Sequence, residues 1–259
     1  MLGTSKYTSA GEQTSISRVF IRKQTLMQLQ NSTFLITGGT LGIGYATAKL
    51  LVQHGAKVAI TGRTAATVRR AATELGALGI TADVSKPADV ERTYQEFLTE
   101  FGHLDCLINN AGIGTSKQLV DITPEDFQRV HDTNIVGAAL MAQQAAKLFM
   151  EQKSGNIINI GSSAATKGYE SGSIYVASKF ALRGMTQCWQ SELRKYNVRV
   201  ILINPSEVTT AFGSQERQER PEQPNKLRGE EIASAIKGAL EMDDRGFITE
   251  LNVWATNPF

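Results

Sequence analysis

Short apolar runs alternate with longer amphipathic segments from about residue 32 to the end of the chain. The apolar runs contain Ile, Val, Leu, Ala and Phe with little polar alternation, which is typical of strands covered on both faces. The predicted strands are Thr33–Thr37, Lys57–Thr61, Leu78–Ala82, Leu104–Ile108, Asn156–Ile160, Arg199–Ile203 and Phe247–Trp254. The amphipathic segments predict helices over residues 42–54, 64–76, 87–101, 124–152, 173–196 and 229–241.

This alternation predicts an α/β fold. Successive parallel strands need right-handed crossovers, and helices in those crossovers cover both faces of a parallel sheet. The chain has no internal repeat, and its main charged, proline-containing break is the segment 213–229. We predict a single doubly wound domain over residues 27–259. Residues 213–229 are either a lid over a substrate or a charged surface loop.

Residues 1–26 differ from the rest of the chain. They are rich in Ser and Thr, contain a single acidic residue, Glu12, and lack the continuous apolar core of a secretory signal. We expect a disordered N-terminal extension, or a stretch ahead of a natural start at Met27; an organelle transit peptide is the alternative.

Composition narrows the class of protein. The chain has 259 residues and a net charge of +2, with 41% hydrophobic and 20% charged residues, as in ordinary globular proteins. This charge gives no reason to expect a nucleic-acid or membrane partner, and no apolar run reaches the roughly 20 residues that span a bilayer. Two cysteines, Cys106 and Cys188, suit a reducing cytoplasm, and we expect both to be inert thiols in or near the core. The three histidines lack ligand spacing, so no metal site is expected.

The first predicted strand runs directly into a glycine-rich turn that opens a helix. The turn reads Thr37-Gly38-Gly39-Thr40-Leu41-Gly42-Ile43-Gly44. Glycines allow a tight turn and a close approach of backbone N–H groups to a pyrophosphate, and the positive end of the helix faces the phosphates. No Gly-Lys-Ser/Thr follows, so the turn is not a P-loop. We predict a dinucleotide cofactor bound by Gly38, Thr40, Leu41, Gly42, Ile43 and Gly44.

The end of the second predicted strand indicates which dinucleotide binds. NAD sites place an acidic residue about 20 positions after the glycines to accept the ribose 2′-hydroxyl. Here the sequence has no acid, and Arg63 lies 19 residues after Gly44. A guanidinium can bind a 2′-phosphate with two parallel hydrogen bonds. We therefore favour NADP(H) over NAD(H).

Tyr175 and Lys179 lie four residues apart at the start of a predicted helix, so both side chains share one face. A free tyrosine has a pKa near 10 and exchanges protons poorly at neutral pH. A cation about 5 Å away, at an effective dielectric of about 20, favours phenolate by roughly 3 kcal/mol. We expect Lys179 to lower the pKa of Tyr175 towards the range of general acid–base catalysis.

A serine near this pair completes the candidate catalytic set. Ser162 follows the strand Asn156–Ile160 and precedes Tyr175 by 13 residues. Its hydroxyl could hydrogen-bond a substrate oxygen beside the tyrosine, although the adjacent Ser163 leaves the assignment between the two open. A hydrolase nucleophile is not indicated, because no Gly-x-Ser-x-Gly elbow surrounds it.

Together these residues resemble the short-chain dehydrogenase/reductase family over roughly residues 32–255. The shared motifs are Thr37-Gly38-x-x-x-Gly42-x-Gly44, Asp83-Val84, Asn109-Asn110-Ala111-Gly112, Asn134, Ser162, Tyr175-x-x-x-Lys179 and Asn204-Pro205. The resemblance implies a Rossmann-like seven-stranded sheet and nicotinamide-dependent interconversion of ketones and secondary alcohols. It also implies homo-oligomers, tetramers or dimers, paired through the helical segments 124–152 and 173–196.

The resemblance assigns roles to single residues. Tyr175 would donate the proton, and Lys179 would bind the nicotinamide ribose and tune Tyr175. Ser162 would hold the substrate oxygen, and Asn134 would anchor a water in the proton relay. Asn134 is also a poor helix former inside a long predicted helix, which predicts a kink there. The implied cofactor contacts are Asp83 and Val84 at the adenine, Asn110, Ala111 and Gly112 along the cofactor, and Pro205, Val208 and Thr210 towards the nicotinamide.

Two departures from the family pattern bear on the substrate. Ser206 and Glu207 stand where the family usually has Gly after the Asn-Pro pair, and the chain lacks the Gly-Gly ending common in acyl-carrier-protein reductases. The motif set is most similar to 3-oxoacyl-(acyl-carrier-protein) reductases of fatty acid synthesis, which predicts a carrier-protein- or CoA-linked 3-oxoacyl thioester. The C-terminal tail is more similar to dehydrogenases of small 3-hydroxy acids. A non-catalytic NADP(H)-binding sensor or scaffold is the competing class.

Overall fold

The computed structural model describes residues 27–212 and 220–259. The predicted extension over 1–26 and the first part of the candidate lid lie outside the described residues. Within them, seven strands form one parallel sheet in the order β3-β2-β1-β4-β5-β6-β7. The strands are β1 Thr33–Ile36, β2 Lys57–Gly62, β3 Leu78–Thr81, β4 Cys106–Asn109, β5 Gly155–Ile160, β6 Val198–Pro205 and β7 Glu250–Val253. The predicted α/β fold with a seven-stranded parallel sheet is confirmed.

Helices cover both faces of the sheet. They are α1 Gly42–Gln53, α2 Ala65–Leu75, α3 Pro87–Phe101, α4 Pro124–His131, α5 Ala138–Gln152, α6 Ser173–Leu193 and α7 Gly229–Leu240. Strand β1 shows how the two layers form: Phe34 and Ile36 pack with α1, α2 and α7, whereas Leu35 packs with α3 and α5 on the opposite face. Burying such a side chain contributes roughly 1.5–3 kcal/mol, so both faces of β1 must be apolar.

The predicted helical segment over 124–152 is helical throughout, but it is divided into two α-helices. Between α4 and α5 lies a π-helical turn, Asp132–Gly137, which contains Asn134 at the expected kink. The Asn134 side chain bonds the backbone of Ile113 instead of facing solvent. A Cβ on Gly137 would lie 2.7 Å from a Val84 methyl group, so this turn packs closely against the chain that follows β3. Such turns are typical of functional sites.

The edge strand is shorter than its apolar run. The run Phe247–Trp254 predicts eight strand residues, but β7 spans only Glu250–Val253, opposite Leu202–Pro205 of β6. An edge strand has a neighbour on one side only, so its length is set by that single ladder. Across residues 27–212 and 220–259, none of the helices combines the length and apolarity required to span a lipid bilayer.

The chain order across the sheet reverses at β1. The chain builds β2 and β3 on one side of β1 and then crosses to β4 on the other side. In sheets of this kind, the crevice for a ligand lies beyond the carboxyl ends of the strands at that reversal. The glycine-rich turn after β1 and the Asn110–Gly112 segment after β4 meet there.

Candidate active site

A cleft of about 1540 Å³ opens beyond the carboxyl ends of the strands. Single-ligand pockets are usually about 300–1,000 Å³, so this cleft has room for a cofactor and a substrate together. Of the residues predicted from sequence, Gly44 and Asn134 do not line it. Those that line it are Gly38, Thr40, Leu41, Gly42, Ile43, Arg63, Asp83, Val84, Asn110, Ala111, Gly112, Ser162, Tyr175, Lys179, Pro205, Val208 and Thr210.

The glycine-rich turn is shaped by contacts that exclude larger residues. Gly38 has a φ of +65°, and a Cβ there would lie 2.9 Å from the Ala111 Cα. Gly44 lies behind the cleft, where a Cβ would come within 2.6 Å of the Gly38 carbonyl oxygen. Leu41, the N-cap of α1, makes no side-chain capping bond. The positive end of α1 thus faces the cleft, as an anionic pyrophosphate requires.

Thr37 ties this turn to the segment after β4. Its hydroxyl oxygen accepts hydrogen bonds from the backbone N–H groups of Asn110 (3.0 Å) and Ala111 (2.9 Å). The Asn110 side-chain amide donates to the carbonyl oxygens of Thr37 (2.9 Å) and Gly38 (3.0 Å). Thr37 stood in the sequence motif but was not assigned a role, because its partners lie more than 70 residues away. These bonds hold two walls of the cleft together.

Arg63 and Asp83 lie at the end of the cleft formed by β2 and β3. Arg63 is exposed, and its guanidinium makes no ion pair with any described residue. The Asp83 carboxylate accepts hydrogen bonds from the Ser85 backbone N–H (3.0 Å) and hydroxyl (2.7 Å). The Thr61 hydroxyl is buried without a partner among the described residues, and Thr61 lines the same end. Sequence reasoning missed Thr61, since nothing in a strand-end threonine marks it as unpaired.

Helix α6 carries Tyr175 and Lys179 on its face towards the cleft. Ser162 lies close enough to Tyr175 for its hydroxyl to act on the pKa of the phenol, which favours Ser162 over Ser163 as the catalytic candidate. The Lys179 ammonium is buried, donates to the Ile160 carbonyl oxygen at 2.8 Å, and lies 5.6 Å from the centre of the Tyr175 ring. The candidate catalytic serine, tyrosine and lysine therefore form one cluster.

The expected lowering of the Tyr175 pKa is wrong. Burial raises the pKa of Tyr175 to about 12, and the Ser162 hydroxyl only partly opposes this. Burial also lowers the pKa of Lys179 to about 8, because its ammonium is removed from water and no carboxylate of the described residues pairs with it. The sequence estimate used a half-solvated pair and omitted the desolvation of both groups.

Asn134 lies behind this cluster. Its side-chain oxygen accepts from the Ile113 N–H (2.9 Å), and its amide nitrogen donates to the Ile113 carbonyl oxygen (2.9 Å) and the Ser178 hydroxyl (3.0 Å). The Ser178 hydroxyl in turn donates to the Tyr175 carbonyl oxygen at 2.7 Å. The Asn134 side chain is thus occupied by protein atoms and links the loop after β4 to the first turn of α6.

The wall beyond Tyr175 contains residues that sequence reasoning missed. Phe212 packs against Tyr175 with ring centres 5.4 Å apart, and Tyr169 also lines the cleft. Their signal is weak, because isolated aromatic residues in loops have no characteristic spacing. Glu207, one of the departures from the family pattern, pairs with Lys226 at 2.8 Å and lies 3.8 Å from Arg220. It thereby ties the described part of the candidate lid to the end of β6.

The remaining candidate chemistry lies away from the cleft. Cys106 is buried, but Cys188 is exposed on α6, so the expectation of a thiol in or near the core is wrong there. Residue 188 falls on the outward face of a helix whose inner face carries Leu182 and Thr186. Within the described ranges, no three His, Cys, Asp or Glu side chains come together as a metal site would need.

The chain is similar to known dehydrogenases and reductases. The family model for short chain dehydrogenases matches residues 32–221. The sepiapterin reductase of Chlorobaculum tepidum is 35% identical over 229 residues, which are 84% of this chain and 93% of that protein.

Two solved structures share the fold at TM-scores of 0.81. The 3-ketoacyl-(acyl-carrier-protein) reductase of Brucella melitensis complexed with NADH is 29% identical, and the match covers 89% of this chain and 100% of the reductase chain. The alcohol dehydrogenase of Thermococcus sibiricus complexed with 5-hydroxy-NADP is 26% identical, and the match covers 88% of this chain and 97% of the dehydrogenase chain.

Proposed function

The chain belongs to the short-chain dehydrogenase family of oxidoreductases, and we propose that it is an NADP(H)-dependent reductase that converts a 3-oxoacyl thioester to the secondary alcohol. The observation that carries this proposal is the cluster of Ser162, Tyr175 and Lys179 on the wall of a cleft large enough for a cofactor and a substrate. The position of the start of α1 at the cleft and the close-packed glycine turn fit the pyrophosphate of a dinucleotide.

The cluster divides the chemistry among its members. NADPH, when bound, supplies the hydride to the carbonyl carbon of the substrate. Tyr175 is a neutral phenol at physiological pH because burial raises its pKa to about 12, so it holds the proton that the substrate oxygen needs. Ser162 lies beside the phenol, and its hydroxyl binds the same substrate oxygen. Lys179 places a positive charge beside the phenolate that remains after proton transfer.

Asn134 acts in this scheme by positioning. Its N–H groups donate to Ile113 and Ser178 and its oxygen accepts from Ile113, so its side chain holds the π-helical turn to the loop after β4 and to α6. The backbone groups of that turn are then the place for a water of the proton relay. This refines the role that the family resemblance implies for Asn134.

Preference for NADP(H) rests on the charge at the adenosine end. Arg63 is exposed at the cleft and forms no ion pair with a described residue, so its guanidinium is available to a 2′-phosphate. The Asp83 carboxylate at this end is already bonded to Ser85. The structural neighbours include both an NADH and an NADP-type complex, so the preference depends on Arg63.

Three cationic side chains line the cleft at its substrate end. Lys117 there is paired with Asp126 at 2.6 Å, and Arg220 donates to the carbonyl oxygens of Val208 and Thr210 at 3.0 Å. Arg129 also lines the cleft beside Lys117 and has no ion pair among the described residues, so the choice of a thioester over a small 3-hydroxy acid rests on the motif set and not on the charges here. An acyl thioester carried by CoA or a carrier protein needs no cation at the reacting end, and such a substrate would place the enzyme in fatty acid synthesis.

We also propose that the protein is a homo-oligomer. Apolar side chains are exposed on the segments expected to pair, with Val136 44%, Met150 37% and Phe180 44% accessible. Burial of such side chains favours association. The mass of the purified protein by light scattering should be a dimer or tetramer; a monomer at micromolar concentration contradicts this.

A substrate screen tests the proposed activity. The purified protein is mixed with NADPH and, separately, a 3-oxoacyl-CoA, a small 3-oxo acid and a simple aliphatic ketone, and the loss of NADPH absorbance is followed. We expect the thioester to be consumed fastest and NADH to be a poorer donor. Tight NADPH binding without turnover of any ketone would instead support a sensor or scaffold.

A further inference from the structure

Asn204 occupies a buried position between the catalytic loop and the edge strand. It lies near the carboxyl end of β6 and is fully buried. Its side-chain oxygen accepts a hydrogen bond from the backbone N–H of Ser162 at 3.2 Å. Its amide nitrogen donates to Glu250 Oε1 at 2.8 Å and to Asn252 Oδ1 at 3.2 Å. All these partners belong to the protein, so the Asn204 amide is a link within the fold.

The second oxygen of Glu250 connects the same carboxylate to α6. Glu250 Oε2 accepts a hydrogen bond from Arg183 Nε at 3.0 Å. Arg183 lies one turn beyond Lys179 and two turns beyond Tyr175, so all three start from one face of the helix. The Glu250 side chain is 21% accessible and that of Arg183 is 35%, so the pair is shielded from solvent for most of its surface.

We propose that Glu250 is a positioning residue for the reaction, holding Ser162 through Asn204 and the catalytic face of α6 through Arg183. It stands in no sequence motif of the family resemblance, and it does not line the cleft. The inference rests on the proposed function for its kinetic consequences, because a fixed spacing between Ser162 and Tyr175 matters only where both act on one substrate oxygen.

The chemistry of a carboxylate explains why this residue type fits. An ionised carboxylate only accepts hydrogen bonds, so the Asn204 amide must turn its NH₂ group, and not its oxygen, towards Glu250. That fixes the Asn204 oxygen towards the Ser162 N–H. If the amide turned over, two donors would face each other at Ser162 and two acceptors at Glu250. A glutamine at 250 cannot satisfy both Asn204 and Arg183. Its NH₂ group would take the place of one carboxylate oxygen and would face one of these two donors.

The kinetic experiment compares Glu250→Gln with a matched ion-pair variant. We expect kcat of Glu250→Gln to fall roughly tenfold, since small displacements of reacting groups cost rate steeply. KM for NADPH should stay within about twofold, because the glycine turn and Arg63 lie away from Glu250. The control is Glu241→Gln, which removes an ion pair to Lys237 of 2.7 Å outside the cleft. Its kcat should match that of the parent.

A double variant separates positioning from a general loss of stability. If Glu250 acts through Ser162, then Glu250→Gln should change kcat by no more than about twofold in a Ser162→Ala background. A merely structural role predicts the same roughly tenfold loss in both backgrounds, and that result would overturn the proposal. Should the glutamine variant fail to fold, Glu250→Asp, which keeps the charge on a shorter side chain, replaces it in the same comparison.

Amide hydrogen exchange tests the positioning without any turnover. The Ser162 N–H should exchange at least about tenfold faster in Glu250→Gln than in the parent, because it loses a fixed acceptor. The neighbouring Gly161 N–H, which bonds the Ile203 carbonyl oxygen at 2.7 Å, should be unchanged. Equal Ser162 exchange in both proteins overturns the proposal. A parent that reduces no ketone overturns the proposed function, while the exchange result still decides the role of Glu250.

Discussion

The Lys179 ammonium lies 5.6 Å from the centre of the Tyr175 ring and donates its hydrogen bond to the Ile160 carbonyl oxygen. The ammonium is buried and the phenol is half-buried, and removal from water acts on them in opposite senses, raising the pKa of Tyr175 to about 12 and lowering that of Lys179 to about 8. The phenol therefore carries the catalytic proton at neutral pH. Lys179 loses its charge near pH 8, well below the usual range of a lysine.

Lys179 should make stability depend on pH in the alkaline range. In the unfolded chain a lysine keeps its proton to about pH 10.5, whereas the folded one releases it near pH 8. Between these values the unfolded state binds more protons, so the free energy of unfolding contributed by this group rises with pH. Relative to Lys179→Met, the parent should gain up to about 3 kcal/mol from pH 8 to pH 10.5.

Urea unfolding of both proteins at several pH values measures this difference. Lys147→Met, which removes an exposed lysine of α5, is the control and should track the parent. Parallel curves for the parent and Lys179→Met would show that the buried ammonium does not titrate in this range.

Arg63 should determine the choice between the two nicotinamide cofactors. Removing its guanidinium in Arg63→Ala should raise KM for NADPH by at least about tenfold, as expected for the loss of a charge-assisted pair of hydrogen bonds to a phosphate. KM for NADH should change little. Arg69→Ala, on α2 and not lining the cleft, is the matched control. Equal losses with both cofactors would place Arg63 elsewhere than at the 2′-phosphate.

Phe212 should form an apolar wall for the substrate. Its ring centre lies 5.4 Å from that of Tyr175, and it is 44% accessible. Phe212→Ala should raise KM for the ketone several-fold and leave KM for NADPH unchanged, because the lost apolar area faces only the substrate end. Met242→Ala serves as control, since Met242 is 42% accessible and lies outside the cleft. An unchanged KM for the ketone would remove Phe212 from the substrate site.

The sequence predicted what depends on neighbouring residues and missed what depends on distant ones. The apolar run predicted a strand over Lys57–Thr61, and β2 ends only one residue later, at Gly62. The prediction succeeds because a strand inside a covered parallel sheet must be apolar on both faces. Glu250 gave no signal, because its role depends on Asn204 and Arg183, which lie far from it along the chain. The Tyr175 pKa was wrong for a related reason, since burial is a property of the assembled cleft.

The helix over 124–152 shows the same limit on a local scale. Residue preferences favoured an interruption at Asn134, but not its form as a π-helical turn. That form depends on the Ile113 backbone and on the close contact between Gly137 and Val84. The position of a kink can thus be predicted from sequence, while its geometry depends on tertiary contacts.

In the proposed reaction, the Tyr175 phenol delivers the proton to the substrate oxygen. Tyr175→Phe removes one oxygen atom and keeps the ring that packs against Phe212. Its single-turnover rate of ketone reduction, measured with saturating NADPH, should fall by at least about 100-fold, while the Kd for NADPH stays within about twofold. A Tyr175→Phe protein that reduces the ketone as fast as the parent would contradict the account.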